Sequence, residues 1–290
     1  MKYFLKFTQY ELKARCKMKI VFLLYYILTV FITAFIPTDA AIADTIRNDN
    51  KPVLRVVFSD DLKPWIFNNN GIIEGTYPAI ILELAKELNF KADLVQYPLK
   101  RCESIMATGE ADLIIGLKDT KERGKYIKFF KIPYRTSSAK VFYMRNGEKH
   151  KLKRFEDLYQ LRVGTKLGTK YFSGFDENKN ISKEDVNNEE QNFYKLLANR
   201  IDAIIIPEDR GEFLISILNL RDKVEKASYQ YPDGSPRYIG MSKKSPFIKD
   251  IKKFNSAMKK IAENGTLESL YMKHFFNKYS IRTDSFRWRR

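Results

Sequence analysis

The chain has 290 residues, of which 44% are hydrophobic and 30% charged, and its formal net charge at pH 7 is +17. This length allows one large domain or two lobes that each bury a core, and the composition is that of a globular protein. Lysines are scattered among acidic residues, as in "KLKRFEDL" and "KDIKKFNSAMKKIAEN". Nucleic-acid-binding proteins usually concentrate basic charge in one patch, so we expect solvated helix faces and no nucleic-acid partner.

The first 43 residues differ in kind from the rest of the chain. Residues 20–36, "IVFLLYYILTVFITAFI", form an apolar run, Met18-Lys19 precedes it, and Ala41-Ile42-Ala43 fits the A-x-A cleavage rule. These features predict a secretory signal peptide over residues 1–43, with Met18 as an alternative start, and hence a periplasmic protein. The competing interpretation is an uncleaved membrane anchor, because the run is at the lower length limit for spanning a bilayer.

Removal of residues 1–43 would also remove Cys16 and leave Cys102 as the single cysteine. One cysteine cannot form an internal disulfide, so the exported domain must be stabilised by its hydrophobic core. Cys102 falls on the apolar side of a short predicted helix, which predicts a buried, inert thiol.

Strands and helices alternate in the first half of the chain. After a polar linker at residues 44–52, the predicted order is a strand "VLRVVF", a helix "TYPAIILELAKELNF", a strand "KADLVQY", a helix "LKRCESIMATG" and a strand "DLIIGL". The first helix has apolar residues at helical spacing, and Gly109 closes the second. This alternation predicts an α/β lobe with a largely parallel sheet.

A similar order returns further along the chain. The segments "MATGEADLIIG" and "LLANRIDAIII" both predict a helix, a turn, an Asp and a buried strand. This weak internal repeat indicates two lobes of similar architecture, with "KVFYMRNGEKHKLKRFEDL" between them as the predicted hinge. Two helices, "FIKDIKKFNSAMKKIAENG" and "TLESLYMKHFF", then precede a basic, aromatic tail.

The sequence offers little material for metal or nucleophilic catalysis. His150 lies in the predicted hinge turn and His274 on the last helix, so no histidine pair has metal-ligand spacing. The segment "GTKLGTKYF" lacks the spacing and the ending of a phosphate loop, although a Gly-Thr turn of this kind suits hydrogen bonding to a carboxylate. We predict no catalytic residue, no cofactor and no metal.

Several polar groups stand where predicted strands end. Arg123 follows the third strand, Thr169 follows the strand of the second lobe, and Lys100-Arg101 opens a helix. In open α/β sheets, ligands bind beyond the carboxyl ends of the strands, where helix N-termini also favour anions. Because an arginine fork matches a carboxylate, these positions favour a site for a small anion.

Six segments occur in an order typical of one known family. They are "LRVVFSDDLKPWIF", "GTYPAIILELAKEL", "MATGEADLIIGLKDTKERGKYIKFFKIPY", "FEDLYQLRVGTKLGT", "RIDAIIIPED" and "FNSAMKKIAENGTLESLYMKHF". Together they resemble the family-3 extracellular solute-binding proteins over about residues 53–276.

The resemblance implies the type II periplasmic-binding fold, an α/β fold of two lobes that each hold a mostly parallel sheet and are joined by a two-segment hinge. The first lobe would comprise residues 53–142 and 238–276, the second residues 143–237, and the tail residues 277–290. It also implies a monomer that captures an amino acid or related anion and delivers it to the membrane subunits of an ABC importer.

The resemblance also implies ligand-binding residues. Arg123 would bind a ligand carboxylate from the first lobe, and Gly168 and Thr169 would contact the same group from the second. Leu117 and Lys118 would line the cleft.

The mouth loop from Ser59 to Trp65 would line the cleft as well. The segment "YPLKRCESIMATGEAD" resembles a branch of the family with a P-W-x-R motif, which would turn Arg101 towards the cleft. The alternative for Arg101 is a solvated cation in the first turn of a helix.

Two positions depart from the family pattern. Leu62 stands where amino-acid binders often stack an aromatic ring, and Pro207 stands where an acidic residue usually meets the ligand ammonium. Glu208 and Asp209 follow at once, and we include Glu208 among the expected ligand-binding residues. The departures favour a carboxylate or other anionic solute over an α-amino acid.

Two further functions remain open at this point, since a fold does not decide a function. An enzyme such as a dehydratase of cyclic carboxylates would need an acid or base in the cleft, for which the sequence offers Asp60, Asp61, Glu208 and Asp209. A membrane-anchored sensory domain would retain residues 20–36. We expect a binding protein without enzymatic activity.

Overall fold

The computed structural model describes residues 51–59, 62–136 and 138–283. The predicted signal peptide, most of the predicted linker and the end of the predicted tail lie outside these residues. None of the described helices is long and apolar enough to cross a membrane.

The elements follow in chain order. The first stretch contains β1 (Val53–Phe58), β2 (Phe67–Asn69), β3 (Ile72–Glu74), α1 (Thr76–Glu87), β4 (Lys91–Gln96), α2 (Leu99–Thr108), β5 (Leu113–Ile115), β6 (Ile127–Phe129) and β7 (Arg135–Thr136). The middle stretch contains β8 (Lys140–Arg145), β9 (Arg162–Lys166), α3 (Ser173–Asp176), β10 (Ser182–Val186), α4 (Glu189–Leu197), β11 (Ala203–Pro207), α5 (Glu208–Ile217) and β12 (Val224–Tyr231). The last contains β13 (Pro236–Arg237), β14 (Gly240–Ser242), α6 (Ile251–Glu263), α7 (Thr266–Tyr271) and a π-helical turn, Met272–Asn277.

Two five-stranded sheets organise the protein. The first has the order β4-β1-β5-β14-β6 and the second the order β10-β9-β11-β8-β12. In each, four strands run in one direction, and one strand, β14 in the first sheet and β8 in the second, lies antiparallel to its two neighbours. The predicted α/β architecture with two sheet-containing lobes is thus confirmed.

The helices bury one face against these sheets. Helix α6 buries Phe254, Ala257, Met258 and Ile261, a spacing that places them on one side of the helix. In α2 the buried residues include Cys102, whose side chain is fully buried, as predicted.

An arginine–aspartate motif explains the internal repeat. In the first lobe Arg55 donates from its backbone nitrogen and from Nε to Asp112, at 2.9 and 3.1 Å. In the second lobe Arg162 makes the same two bonds to Asp202, both at 2.9 Å. The aspartate before each buried strand therefore fixes the start of the neighbouring strand, since charge-assisted bonds with this geometry are strong.

The two connections between the lobes meet as a short ribbon. Strands β7 and β13 pair antiparallel, with Arg135 opposite Arg237 and Thr136 opposite Pro236. The predicted lobe boundary after residue 142 lies within β8, a strand of the second sheet, and the boundary predicted after residue 237 stands next to β13, which ends at Arg237. The first sheet-to-sheet crossing thus lies before residue 140 and not in the Gly-containing turn that follows β8.

The start of the predicted tail is packed against the second lobe. The Tyr279 ring meets the Phe213 ring edge-on at 4.8 Å, and Ile281 is buried in the core that contains Phe213. Arg221 donates to the backbone oxygen of Ser280 at 2.6 Å.

Candidate functional site

A cavity of about 300 Å³ lies where the two lobes and the ribbon of β7 and β13 meet. Pockets of this size suit small molecules. It is lined from the first lobe, the ribbon and the second lobe by Leu62, Trp65, Tyr77, Gly116, Lys118, Arg135, Ser138, Lys140, Lys166, Glu189, Pro207, Asp209, Arg210 and Arg237.

One wall of the cavity is aromatic. The Trp65 ring stacks on Tyr77 at 5.7 Å and on Phe275 at 4.5 Å between centroids. Gly75, with φ of 123°, lets the chain pass the Trp65 carbonyl, which a Cβ at this position would strike. The backbone nitrogen of Tyr77, in the first turn of α1, donates to this Trp65 carbonyl at 3.1 Å. The indole is therefore held rigidly at the cavity wall.

A buried ion pair crosses from the ribbon to the second lobe. Arg135 Nη2 lies 2.7 Å from Asp209 Oδ2, with side chains 11% and 4% exposed. Ser138 Oγ donates to the other oxygen of Asp209 at 2.5 Å. Burial on its own raises the pKa of Asp209, but Arg135 and these hydrogen bonds outweigh it and hold the pKa below its usual value.

Arg135 also reaches the first lobe. Its guanidinium carbon lies 4.4 Å from the centre of the Trp65 ring, and Nη1 donates to the Tyr77 hydroxyl at 3.2 Å. Arg135 therefore joins the aromatic wall to helix α5 of the second lobe.

Two other cations of the lining are also neutralised. Arg210 donates from Nε to Glu189 at 2.5 Å and from Nη1 to the backbone oxygen of Lys63 in the first lobe. Lys140 pairs with Asp233 at 3.3 Å. The Arg210 contact to Lys63 ties the two sides of the cavity together.

Three cations of the lining remain, and they come from different elements. Lys118 follows β5 of the first lobe, Lys166 ends β9 of the second, and Arg237 belongs to the ribbon. Within residues 51–59, 62–136 and 138–283, no carboxylate pairs with any of them. The lining thus presents unbalanced positive charge from both lobes.

Of the residues expected to bind ligand, Trp65 and Lys118 line this cavity, and so does Leu62. Leu117 is buried in the core beside α2. Ser59 accepts a bond from Gln96 through its backbone oxygen at 3.4 Å and is not part of the lining.

Arg123 lies outside the lining of the cavity. Its Nε donates to Glu103 at 3.1 Å and its Nη1 to the backbone oxygen of Lys118 at 3.0 Å. Its role as a carboxylate ligand stays a prediction. In the structure Arg123 holds the backbone of a residue that does line the cavity.

The remaining expected residues are near the surface. Gly168 is exposed with φ of 74°, and the backbone nitrogen of Thr169 donates to Lys166 at 3.0 Å, which closes the turn after β9. Arg101 is exposed and lies over the Tyr97 ring at 4.3 Å. None of these three belongs to the lining.

Glu208 and its neighbour have separate environments. Glu208 is turned to Lys226, with which it forms an ion pair, and burial raises its pKa above the usual value. Asp209, not Glu208, lines the cavity, and its carboxylate is paired with Arg135. The acidic residue after Pro207 is thus already paired.

Sequence reasoning missed most of the ribbon and second-lobe residues of the lining. Arg135 and Lys140 would have followed from a first lobe crossing directly after "KIPY", where the polar run "RTSS" follows an apolar stretch. Arg237 lies on the second connection. Lys166 ends the strand directly before the Gly-Thr turn of Gly168 and Thr169. The sequence carries no comparable signal for Glu189 or Arg210.

Comparison with known proteins agrees with this architecture. Residues 54–277 match the model of the bacterial extracellular solute-binding proteins, family 3. The arginine-binding extracellular protein ArtP of Bacillus subtilis is 24% identical over 227 residues, which cover 75% of this chain and 84% of that protein.

Solved structures show the same fold at low identity. The second substrate-binding domain of GlnP from Lactococcus lactis, in an open conformation, is 20% identical with a TM-score of 0.62, covering 78% of this chain and 96% of that one. The substrate-binding protein AbpA of Streptococcus pneumoniae, bound to L-arginine, is 22% identical with a TM-score of 0.59, covering 83% and 100%. Since the family model spans nearly all of the described two-lobed region, the chain belongs to the family-3 bacterial extracellular solute-binding proteins.

Proposed function

We propose that the protein captures a small carboxylate-bearing solute, an amino acid or a related anion, in the cavity between its lobes. The observation that carries this proposal is the lining itself, in which the basic side chains Lys118, Lys166 and Arg237 converge from both lobes and the ribbon. An anion bridging them would be held by both lobes at once, which favours the closed form over the open one.

The aromatic wall supplies the second element of recognition. Trp65 offers a flat apolar surface beside the cations, and its stacking on Tyr77 and Phe275 fixes its orientation. A few polar groups beside an aromatic surface are typical of small-molecule sites. Lys118 and Trp65 are the expected site residues that would contact the solute directly.

Arg123, Gly168 and Thr169 would act from behind these groups. Arg123 would position Lys118 through its backbone oxygen, and it would reach a ligand itself only by releasing Glu103. Gly168 and Thr169 would shape the turn that carries Lys166.

The closed form would be recognised by the membrane subunits of an ABC importer, in keeping with the ABC transporter proteins among the similar structures. The protein would work as a monomer in the periplasm, where the segment 1–43 would direct it. It would release its solute unchanged.

Fluorescence of Trp65 gives a direct test. The chain has two tryptophans, and Trp288→Phe leaves Trp65 as the only reporter. We expect amino acids or small carboxylates to change its emission saturably and to raise the melting temperature by mass action. Saturable binding that leaves Trp65 emission and the Trp65→Phe variant unaffected would place the site elsewhere.

The same samples separate binding from catalysis. Any solute that raises the melting temperature would be incubated with the protein and recovered. Recovery of the unchanged solute is the expected result, and its turnover by the pure protein would assign the enzyme function instead.

A further inference from the structure

The charge of the cavity lining restricts the ligand more sharply than the fold does. Six basic and two acidic side chains line it. Both acids are engaged, Asp209 by Arg135 and Glu189 by Arg210. An ammonium group would therefore meet no unpaired carboxylate in the described lining. Residues 60 and 61 lie outside the described residues.

The ribbon adds a specific source of positive charge. Arg135 and Arg237 are directly opposite each other on β7 and β13, and both line the cavity. Like charges at opposite positions of an antiparallel pair repel each other. Asp209 neutralises Arg135, whereas Arg237 has no carboxylate partner in the described part of the chain.

Lys118 and Lys166 extend this charge to the two lobes. Lys118 follows the carboxyl end of β5 in the first lobe, and Lys166 is the last residue of β9 in the second. A ligand with a single carboxylate can pair closely with one or two of these cations. A ligand with two carboxylates can engage the ribbon and both lobes at once.

We propose that the preferred ligand is a small dicarboxylate without a required ammonium group, bound by Arg237, Lys166 and Lys118. This rests on the proposed function, since it names the ligand class of that same cavity. The arginine named for ArtP and AbpA would be repelled here, because a guanidinium would enter a lining that already carries excess positive charge.

The test is calorimetric titration of the purified protein with four ligands: glutarate, L-glutamate, L-glutamine and L-arginine. Glutarate and glutamate differ by the ammonium, and glutamate and glutamine differ by the second negative charge. We expect glutarate to bind at least as tightly as glutamate and about tenfold or more tightly than glutamine, because a charge-assisted bond is lost with the amide. Arginine should not bind.

Variants assign the effect to the cavity. Arg237→Gln should weaken glutarate binding about 10- to 100-fold, the loss expected for one charge-assisted contact, and Arg237→Lys should recover part of it. Lys166→Gln should weaken it in the same direction. Lys252→Gln, on the exposed face of α6, is the matched control and should leave binding unchanged. Melting curves without ligand check that each variant is folded.

The outcomes separate this inference from the proposed function. Binding of glutamine or arginine that is as tight as that of glutarate would overturn the inference while preserving solute binding by the cavity. Glutamate binding much tighter than glutarate would also overturn it, because an ammonium would then be recognised. Glutarate binding unaffected by Arg237→Gln in a folded variant would overturn the assignment to these cations. No binding by any of the four would count against both.

Discussion

Asp209→Asn tests whether the buried pair with Arg135 stabilises the junction of the lobes. The substitution keeps the shape of the side chain but leaves the Arg135 guanidinium, 11% exposed, without its counter-charge at 2.7 Å. Breaking a buried pair by removing one partner costs about 3–5 kcal/mol of unfolding free energy. For a domain of this size, 1 kcal/mol corresponds to about 2–4 °C, so we expect the melting temperature to fall by about 6–20 °C.

The assay is thermal and guanidinium unfolding of the protein without ligand, followed by far-UV circular dichroism. Asp250→Asn is the matched control, because the Asp250 carboxylate pairs with Lys253 at 3.0 Å but is 48% exposed. Exposed pairs contribute about 0–1 kcal/mol, so this control should barely move the transition. The double variant Arg135→Met with Asp209→Leu should recover much of the loss, since it leaves no uncompensated buried charge. A change for Asp209→Asn no larger than for Asp250→Asn would refute the reasoning.

Three further predictions concern stability. The folded pKa of Asp209 lies below its unfolded value of about 3.8, so its contribution to the free energy of unfolding is complete above that value and is lost as pH falls through the folded pKa. Asp209→Asn should therefore flatten this loss of stability in acid, in unfolding curves measured from pH 6 to 2. Gly211→Ala should destabilise by about 1–3 kcal/mol in denaturant titrations, because the new Cβ would strike the Tyr143 ring. Ile281→Ala should cost about 2–5 kcal/mol in the same assay, because its side chain is buried in the core.

Two of these have a matched control variant, and the acid-limb prediction has an outcome that would contradict it. An acid limb that is unchanged in Asp209→Asn would show that other carboxylates dominate it. Gly124→Ala, where a Cβ meets nothing within 4 Å, should be nearly neutral, and an equal loss at both glycines would remove the steric explanation. Ile72→Ala, at a side chain 65% exposed, should change stability by less than about 0.5 kcal/mol, and parity with Ile281→Ala would mean that the C-terminal segment is not packed in solution.

The fold could be predicted because its signals are local. The alternation of helices and strands, and the Asp before each buried strand, are readable within about ten residues. The repeat "ADLIIG" and "IDAIII" reflects one device used twice, since Asp112 and Asp202 each bind the arginine of the neighbouring strand. Each arginine is far from its aspartate along the chain, but the repeat can still be recognised because the aspartate stands directly before the buried strand.

The site could be predicted only in part because its contacts are not local. Arg135 and Asp209 are 74 positions apart, and their pairing depends on where the chain crosses between the lobes. The turn at Gly147 is a stronger sequence signal for the crossing than the two-residue strand β7, so the sequence directs attention away from Arg135. Trp65 and Lys118 could be found because they follow elements of the first lobe, whose order was clear.

The arginines around the cavity illustrate why residue type alone does not identify a ligand-binding group. Arg123, Arg135 and Arg210 have their guanidinium donors engaged by carboxylates and backbone oxygens of the protein. A ligand could recruit them only by displacing those partners, and a displaced carboxylate such as Asp209 would be left buried without a counter-charge. Arg237 has no carboxylate partner among the residues that the structure describes, so it could bind a ligand without such an exchange. The energetic balance therefore favours the arginine of the ribbon over the three paired arginines as the group that meets an anion.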